Sequence, residues 1–179
     1  GRPGEDVKGY RIQKKRMFDP RVLEAAEELK RAGKIRYIGV SSHGPYNMEK
    51  LLIDAVQSGN FDVILMAYNF LRHKELSGLI KVLQKSDIGV IAMKTLAGAS
   101  EGQAVAEPGE FERAALKYAL NQPFIDSLVV TMNKISHLNH YLGASGKPYG
   151  ASDQRLIEQH ASLIGSDYCR TGCSNCEPS

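Results

Sequence analysis

Short apolar runs alternate with longer amphipathic ones along this chain, and that alternation limits how its strands can pair. Residues 35–40, 61–67, 89–93 and 127–131 are rich in Val, Ile, Leu and aromatic side chains and read as strands. Between them lie helical patterns. Asp19-Pro20 offers an N-cap acceptor and a first-turn proline, Val22, Ala25, Ala26 and Leu29 follow at helical spacing, and Gly33 supplies the stop. Met48, Leu51, Leu52 and Ala55 mark a second helix, with others expected over residues 74–85, 111–120, 134–142 and 153–164. Residues 1–18 are rich in Gly, Pro and charge and read as a loop or a strand-to-helix connection. Strands about 25 to 40 residues apart with helices between them call for parallel pairing through crossover helices.

Two α/β architectures meet that requirement, a doubly wound sheet and part of a (β/α)8 barrel. A dinucleotide-binding doubly wound sheet would carry a glycine-rich fingerprint straight after its first strand, and none is present. The barrel is therefore favoured. A whole barrel needs eight strands and typically about 250 residues, whereas this chain has 179 residues and four strand signals. Counting alone gives half a TIM barrel, about four βα units. No low-complexity linker divides them, so residues 1–166 are expected to form one partial barrel, followed by a short cysteine-rich tail at 167–179.

Charge excludes little but points away from polyanions. With 23 Lys and Arg against 20 Asp and Glu the net charge is +3, too small to argue for nucleic acid, and Lys14-Lys15-Arg16 lacks aromatic interleaving and reads as solvated surface. No apolar stretch approaches the roughly 20 residues that span a membrane. The first residues, Gly-Arg-Pro-Gly-Glu-Asp, show neither a starting Met nor an apolar signal segment, which suggests cloning, processing or truncation. The three cysteines lie close together near the C-terminus, better suited to a metal site than to a disulfide framework, so a reducing, cytoplasmic setting is expected.

In a barrel the chemistry gathers at the C-terminal ends of the strands. Here those ends read Ser41-Ser42-His43, Tyr68-Asn69, Met93-Lys94-Thr95 and Thr131-Met132-Asn133. Turns are polar in any protein, but four apolar strands each running out into hydroxyl, amide or cationic groups favour a ligand face. His43 is an acid–base candidate by its reference pKa, though no carboxylate partner is visible and loop hydrogen bonding is the plainer role. Lys94 would suit a Schiff base if desolvated, and more simply an anion contact or a reach to solvent. His137 and His140 share a helix face, compatible with a metal pair, but without a third acidic ligand they read as surface residues.

The densest motif is Cys169-Arg170-Thr171-Gly172-Cys173-Ser174-Asn175-Cys176, spaced C-x3-C-x2-C. Thiolates suit iron–sulfur clusters and zinc, and a short glycine-containing loop lets several sulfurs converge. Three ligands are one short of the usual four. Incidental free cysteines and zinc stay open as alternatives. The same spacing occurs in radical S-adenosylmethionine enzymes, but those carry it after an early barrel strand and usually have an aromatic residue before the third cysteine, where this chain has Asn175.

Several segments, in order, resemble aldo-keto reductases. Gly33-Lys34-Ile35-Arg36-Tyr37-Ile38-Gly39-Val40-Ser41-Ser42 is similar to the region of that family's fifth strand, residues 61–70 to its sixth strand and Tyr-Asn corner, residues 89–98 to its seventh strand and cofactor loop, and residues 127–142 to its eighth strand and following helix. The resemblance covers roughly residues 19–164 and places them in the C-terminal half of the barrel. It implies NADP or NAD as cofactor, with Ser41 and Ser42 hydrogen-bonding the nicotinamide carboxamide. Met93 stands where many members stack a Tyr on the nicotinamide, and Lys94, Thr95 and Leu96 lie in the loop that passes over the cofactor. Thr131 and His137 stand where a Lys and an Arg usually reach the 2′-phosphate, with Asn133 at the same corner, and Leu65 stands near a usual Gln. A helix N-terminus with loop amides suits such phosphates. The tail resembles the subgroup with a C-terminal ferredoxin-like segment, whose C-x3-C-x2-C continues x3-C-P, so Cys169, Cys173 and Cys176 are the implied ligands of a 4Fe-4S cluster lacking its fourth.

The family's catalytic Asp, Tyr, Lys and His come from its first four strands, so the resemblance assigns no catalytic residue to this chain. It implies an NAD(P)H-dependent carbonyl oxidoreductase present as an incomplete chain, inactive alone, with a small-molecule carbonyl as substrate and self-association through the open barrel edge. A non-catalytic half-barrel that binds a cofactor or a partner, and an iron–sulfur electron carrier, are the competing readings.

Overall fold

A computed structural model describes residues 6–42, 47–71, 73–96 and 109–163. Four strands form one sheet in the order β1-β2-β3-β4, with β1 Gly39–Ser42, β2 Val63–Ala67, β3 Gly89–Met93 and β4 Ser127–Leu128. The strands are parallel, and β1 and β2 are in register with Gly39 opposite Val63 and Ser42 opposite Met66. Sequential strands lying side by side, each separated by helix, is the topology that crossover connections impose. The α/β half-barrel expectation holds. The chain divides into two compact units, Gly1–Met66 with Leu76–Ile91, and Ala67–Glu75 with Ala92–Ser179.

In the first unit the opening segment is not a loop. Val7–Met17 is a helix, α1, with the Asp6 side chain accepting from the Gly9 amide at 2.8 Å and three cations in its last turn. Its sequence hid it because the helix buries no residue, so no apolar period marks it; capping and the helix dipole hold its ends. Nor is Lys14 merely solvated. Its ammonium lies 2.9 Å from Asp54, whose carboxylate also accepts the Tyr10 hydroxyl, and Lys50 sits 4.1 Å from the Tyr10 ring centre. Burial pushes the Asp54 pKa up, but the Tyr10 and Lys14 hydrogen bonds prevail and hold it below the usual carboxylate value.

Helix α2, Pro20–Arg31, starts as its sequence predicts, with Pro at the first turn and the Asp19 carboxylate accepting from the Arg21 amide. The strand expected at residues 35–40 begins four residues later, at Gly39. Asp62 explains the delay: its carboxylate accepts from the Ile38 amide at 2.8 Å and pairs with Lys30 at 2.8 Å. The Ile38 amide is thus tied to a side chain while its carbonyl accepts from the Asp62 and Val63 amides, and Ser41 and Ser42 move from turn into strand.

The core of this unit lies between the sheet and two helices, α3 Met48–Ser58 and α4 Ser77–Leu83. Leu51, Leu52 and Ala55 of α3, Ile64 and Met66 of β2, and Leu79, Ile80 and Leu83 of α4 are buried. A 3-10 turn, His73–Leu76, precedes α4, so the single helix expected at 74–85 is split. Helix α4 has no capping side chain of its own. Glu49 of α3 replaces it, accepting from the Gly78 and Leu79 amides at 2.8 and 3.2 Å, a charge-assisted cap at the positive end of a helix.

The second unit is built on α5, Glu110–Leu120, which buries Phe111, Ala114, Ala115, Leu116 and Ala119. Helix α7, Ala151–Leu163, contributes Ile157 to the cluster around Phe111, with Phe70, Tyr118 and Tyr149 at its margin. Lys117 and Asp153 join the two helices through a 2.7 Å ion pair that is largely buried, and Asp153 also accepts from the Gly150 amide. Helix α6, Ile135–Leu142, adds Tyr141 to a second cluster with Leu116 and Ala144. The strand expected to run to residue 131 stops at Leu128. Val129 makes one more sheet bond, to the Ala92 carbonyl at 2.8 Å, Val130 packs half-buried against the second cluster, and residues 131–136 are exposed.

Candidate functional site

In the first unit, β1 ends on Ser41, exposed, and Ser42, half-buried. The register puts Ser41 beside Leu65 and Ser42 beside Met66. Alternation along β2 leaves Ile64 and Met66 buried but Leu65 half-exposed, so the sheet face carrying Ser41 and Leu65 is the less covered one. His43 lies outside the described residues.

In the second unit β3 runs out at Met93, whose carbonyl accepts from the Tyr68 amide at 3.0 Å. The next residue, Lys94, has φ 60°, a left-handed conformation uncommon for a residue with a Cβ. Its carbonyl accepts from the Asn69 side-chain amide at 3.1 Å, and Asn69 in turn accepts from the Leu71 amide at 3.1 Å. Thr95 is 1% exposed and its hydroxyl has no hydrogen-bond partner among the described residues. Leu96 packs against both hydrophobic clusters of the unit. Met93, Lys94, Thr95 and Leu96 are therefore one fixed corner, with buried anchors on either side of the strained residue.

Thr131 and Asn133 are exposed beyond the end of β4, and His137 is half-buried on α6 with its ring 5.4 Å from that of Tyr141. His140 packs on Gly109: a Cβ there would meet its Nδ1 at 2.5 Å. The surface reading of this histidine pair is corrected, because both rings are engaged in packing. No group of three His, Cys, Asp or Glu side chains that could hold a metal occurs among the described residues. Cys169, Cys173 and Cys176 lie outside them.

Asn69, expected at a polar strand end, is 1% exposed and binds backbone on both sides. One group escaped the sequence reading. His160 is 2% exposed, stacks on Phe111 at 3.9 Å, and neither ring nitrogen has a hydrogen-bond partner among the described residues. Burial pushes its pKa down, against a pull upward from Glu112. Its spacing from Asp153 and Ile157 on the buried face of α7 was the signal there.

Residues 18–113 match the Aldo/keto reductase family model. Among solved structures the chain is similar to an aldo-keto reductase, AKR11C1, from Bacillus halodurans in its apo form, with 22% identity and a TM-score of 0.55. The match covers 77% of this chain and 55% of that one, so this chain spans about half the length of that relative. At such identity the likeness carries the fold. No curated protein matches the chain.

Proposed function

The chain belongs to the aldo/keto reductase family, and from that premise we propose that it carries the nicotinamide-cofactor contacts of an NAD(P)H-dependent carbonyl oxidoreductase. The observation that supports this best is the corner at Met93–Leu96, where a lysine is followed, at the end of a strand, by a buried hydroxyl without a hydrogen-bond partner among the described residues. The donor set fits a dinucleotide. Hydroxyls at Ser41 and Ser42 suit a carboxamide, and the Lys94 ammonium with the Thr95 hydroxyl suits a pyrophosphate. Met93 and Leu96 offer apolar surface to a flat ring, and Thr131, Asn133 and His137 offer hydroxyl, amide and imidazole groups where a Lys and an Arg are usual. That weakens any preference for the 2′-phosphate, so both NADP and NAD are admitted.

When bound, the cofactor supplies a hydride for a carbonyl carbon. This chain's residues bind and orient it. None is assigned as proton donor, because the resemblance draws the catalytic groups from strands other than these four. We expect the 179-residue polypeptide to oxidise no NAD(P)H when offered a small carbonyl compound, while a cofactor titration gives saturable binding weakened by Ser41→Ala with Ser42→Ala. Carbonyl-dependent oxidation would overturn the assignment of no catalytic residue.

The remaining parts of the reading rest on the sequence. Residues 1–166 are taken as one partial-barrel domain and 167–179 as a cysteine tail, in a cytoplasmic setting. Cys169, Cys173 and Cys176 are proposed as three thiolate ligands of a 4Fe-4S cluster, testable by anaerobic reconstitution with iron and sulfide and loss of the absorbance on Cys173→Ser. Self-association through the β1 edge is proposed from its exposed residues, Gly39 and Ser41. Sedimentation of a strictly monomeric chain at high concentration would remove that element.

A further inference from the structure

The Lys94 backbone is held in a conformation that lysine does not choose. Among the described residues it shares a positive φ only with Asn47 and four glycines, and asparagine and glycine are the residues that tolerate this region. Such strain costs of order 1–3 kcal/mol and persists only where the surroundings impose it.

What imposes it is visible. Just before Lys94, the Met93 carbonyl is bound by the Tyr68 amide. Just after it, Thr95 is buried and Leu96 is packed into the two clusters. At Lys94 itself the Asn69 side chain donates to the carbonyl, and Asn69 is fixed by the Leu71 amide and by full burial. A trans peptide is planar, so the Lys94 carbonyl and the Thr95 N–H point in opposite directions. Tying the carbonyl to Asn69 therefore turns the Thr95 N–H away from Asn69.

A turn needed only for its shape would be served without strain by glycine. A lysine in this place puts a cation on the corner itself, beside a buried Thr95 hydroxyl that has no hydrogen-bond partner among the described residues, a pairing suited to an anion. We infer that Asn69 is a positioning residue, whose hydrogen bond to the Lys94 carbonyl holds the Lys94–Leu96 turn in the form that receives the pyrophosphate of a nicotinamide dinucleotide. This rests on the cofactor reading above and adds to it a residue that touches no cofactor.

The test is titration of the whole chain with NADPH, following the Thr95 and Leu96 amides and the Lys94 HN–Hα coupling by NMR. Asn69→Asp is the main variant, because its carboxylate still accepts from Leu71 while losing the donor to Lys94. Asn69→Ala is the second, should the added charge prevent folding. Either is expected to move Lys94 out of the left-handed region and to weaken NADPH binding about tenfold, within the range of a single strained residue. In a Lys94→Gly background, where the turn forms unaided, the same change is expected to alter affinity less than about threefold. Unchanged affinity in Asn69→Asp, or an equal loss in both backgrounds, would overturn the positioning role and leave the cofactor reading intact. A parent chain that binds no NADPH would overturn the cofactor reading, and this inference with it, before any variant is made.

Discussion

Helices α2 and α5 carry the same kind of pattern and end in opposite environments. Both place apolar side chains at helical spacing opposite a charged face. In α5 that stripe, Phe111, Ala114, Ala115, Leu116 and Ala119, is buried. In α2 no residue is buried, and Val22 and Leu29 remain 58% and 46% exposed. An apolar period reports that a helix has a face to cover and leaves open what covers it. For α5 the cover is present in the same unit, in α7 and in Tyr141 of α6. For α2 the described residues supply none, as expected where four strands stand in for the eight of a closed barrel.

Substitutions can break this comparison, and the largest effect belongs to α5. Phe111→Ala should lower the unfolding free energy by about 3–5 kcal/mol in urea titrations, since it empties the centre of a packed cluster. A loss below about 1 kcal/mol would mean that the cluster is not the core of its unit.

Next comes the tie between α5 and α7. Asp153→Ala leaves the Lys117 ammonium and the Gly150 amide without their acceptor, and should cost about 2–4 kcal/mol. The double variant Asp153→Ala with Lys117→Met should recover part of that loss, because no unpaired charge remains. Failure to recover any would show that the carboxylate acts mainly as a cap for Gly150.

His160 sharpens the picture through pH. Burial lowers its folded pKa below the ordinary value of 6.5, so the unfolded chain binds the extra proton more readily. Its contribution to stability is complete above about pH 6.5 and is lost as the pH falls through the folded pKa. His160→Leu should flatten the decline of Tm between neutral and mildly acid pH. An unchanged slope would place the titrating group elsewhere.

The smallest effect is expected on α2. Leu29→Ser should change stability by no more than about 0.5 kcal/mol, as for other surface positions, while reducing self-association if the bare stripe takes part in it. A loss comparable to that at Phe111 would show that α2 is covered after all.

The sequence was most legible where both neighbours of an element are apolar. Strand β3 falls at Gly89–Met93 as expected because it lies between two other strands. At the sheet edges local pattern fails: β1 starts late because the Asp62 side chain, 24 positions from Ile38, takes the amide that a ladder would have used. Helix α1 was invisible because capping and charge, not burial, hold it. At the strand ends, Met93 closes β3 as expected, whereas Ser41 and Ser42, expected in a turn, lie within β1. The left-handed Lys94 was not legible, since lysine carries no preference for that region as Asn47 does. Its partner Asn69 lies 25 positions away, a distance at which no local pattern speaks.

The claim that this chain bears cofactor contacts is tested most directly by calorimetric titration of the 179-residue polypeptide with NADPH, beside Lys94→Ala. The account predicts saturable binding to the parent chain and at least about tenfold weaker binding to the variant, as expected for loss of a charge on a phosphate group. No saturable heat, or equal affinity in both, would contradict it.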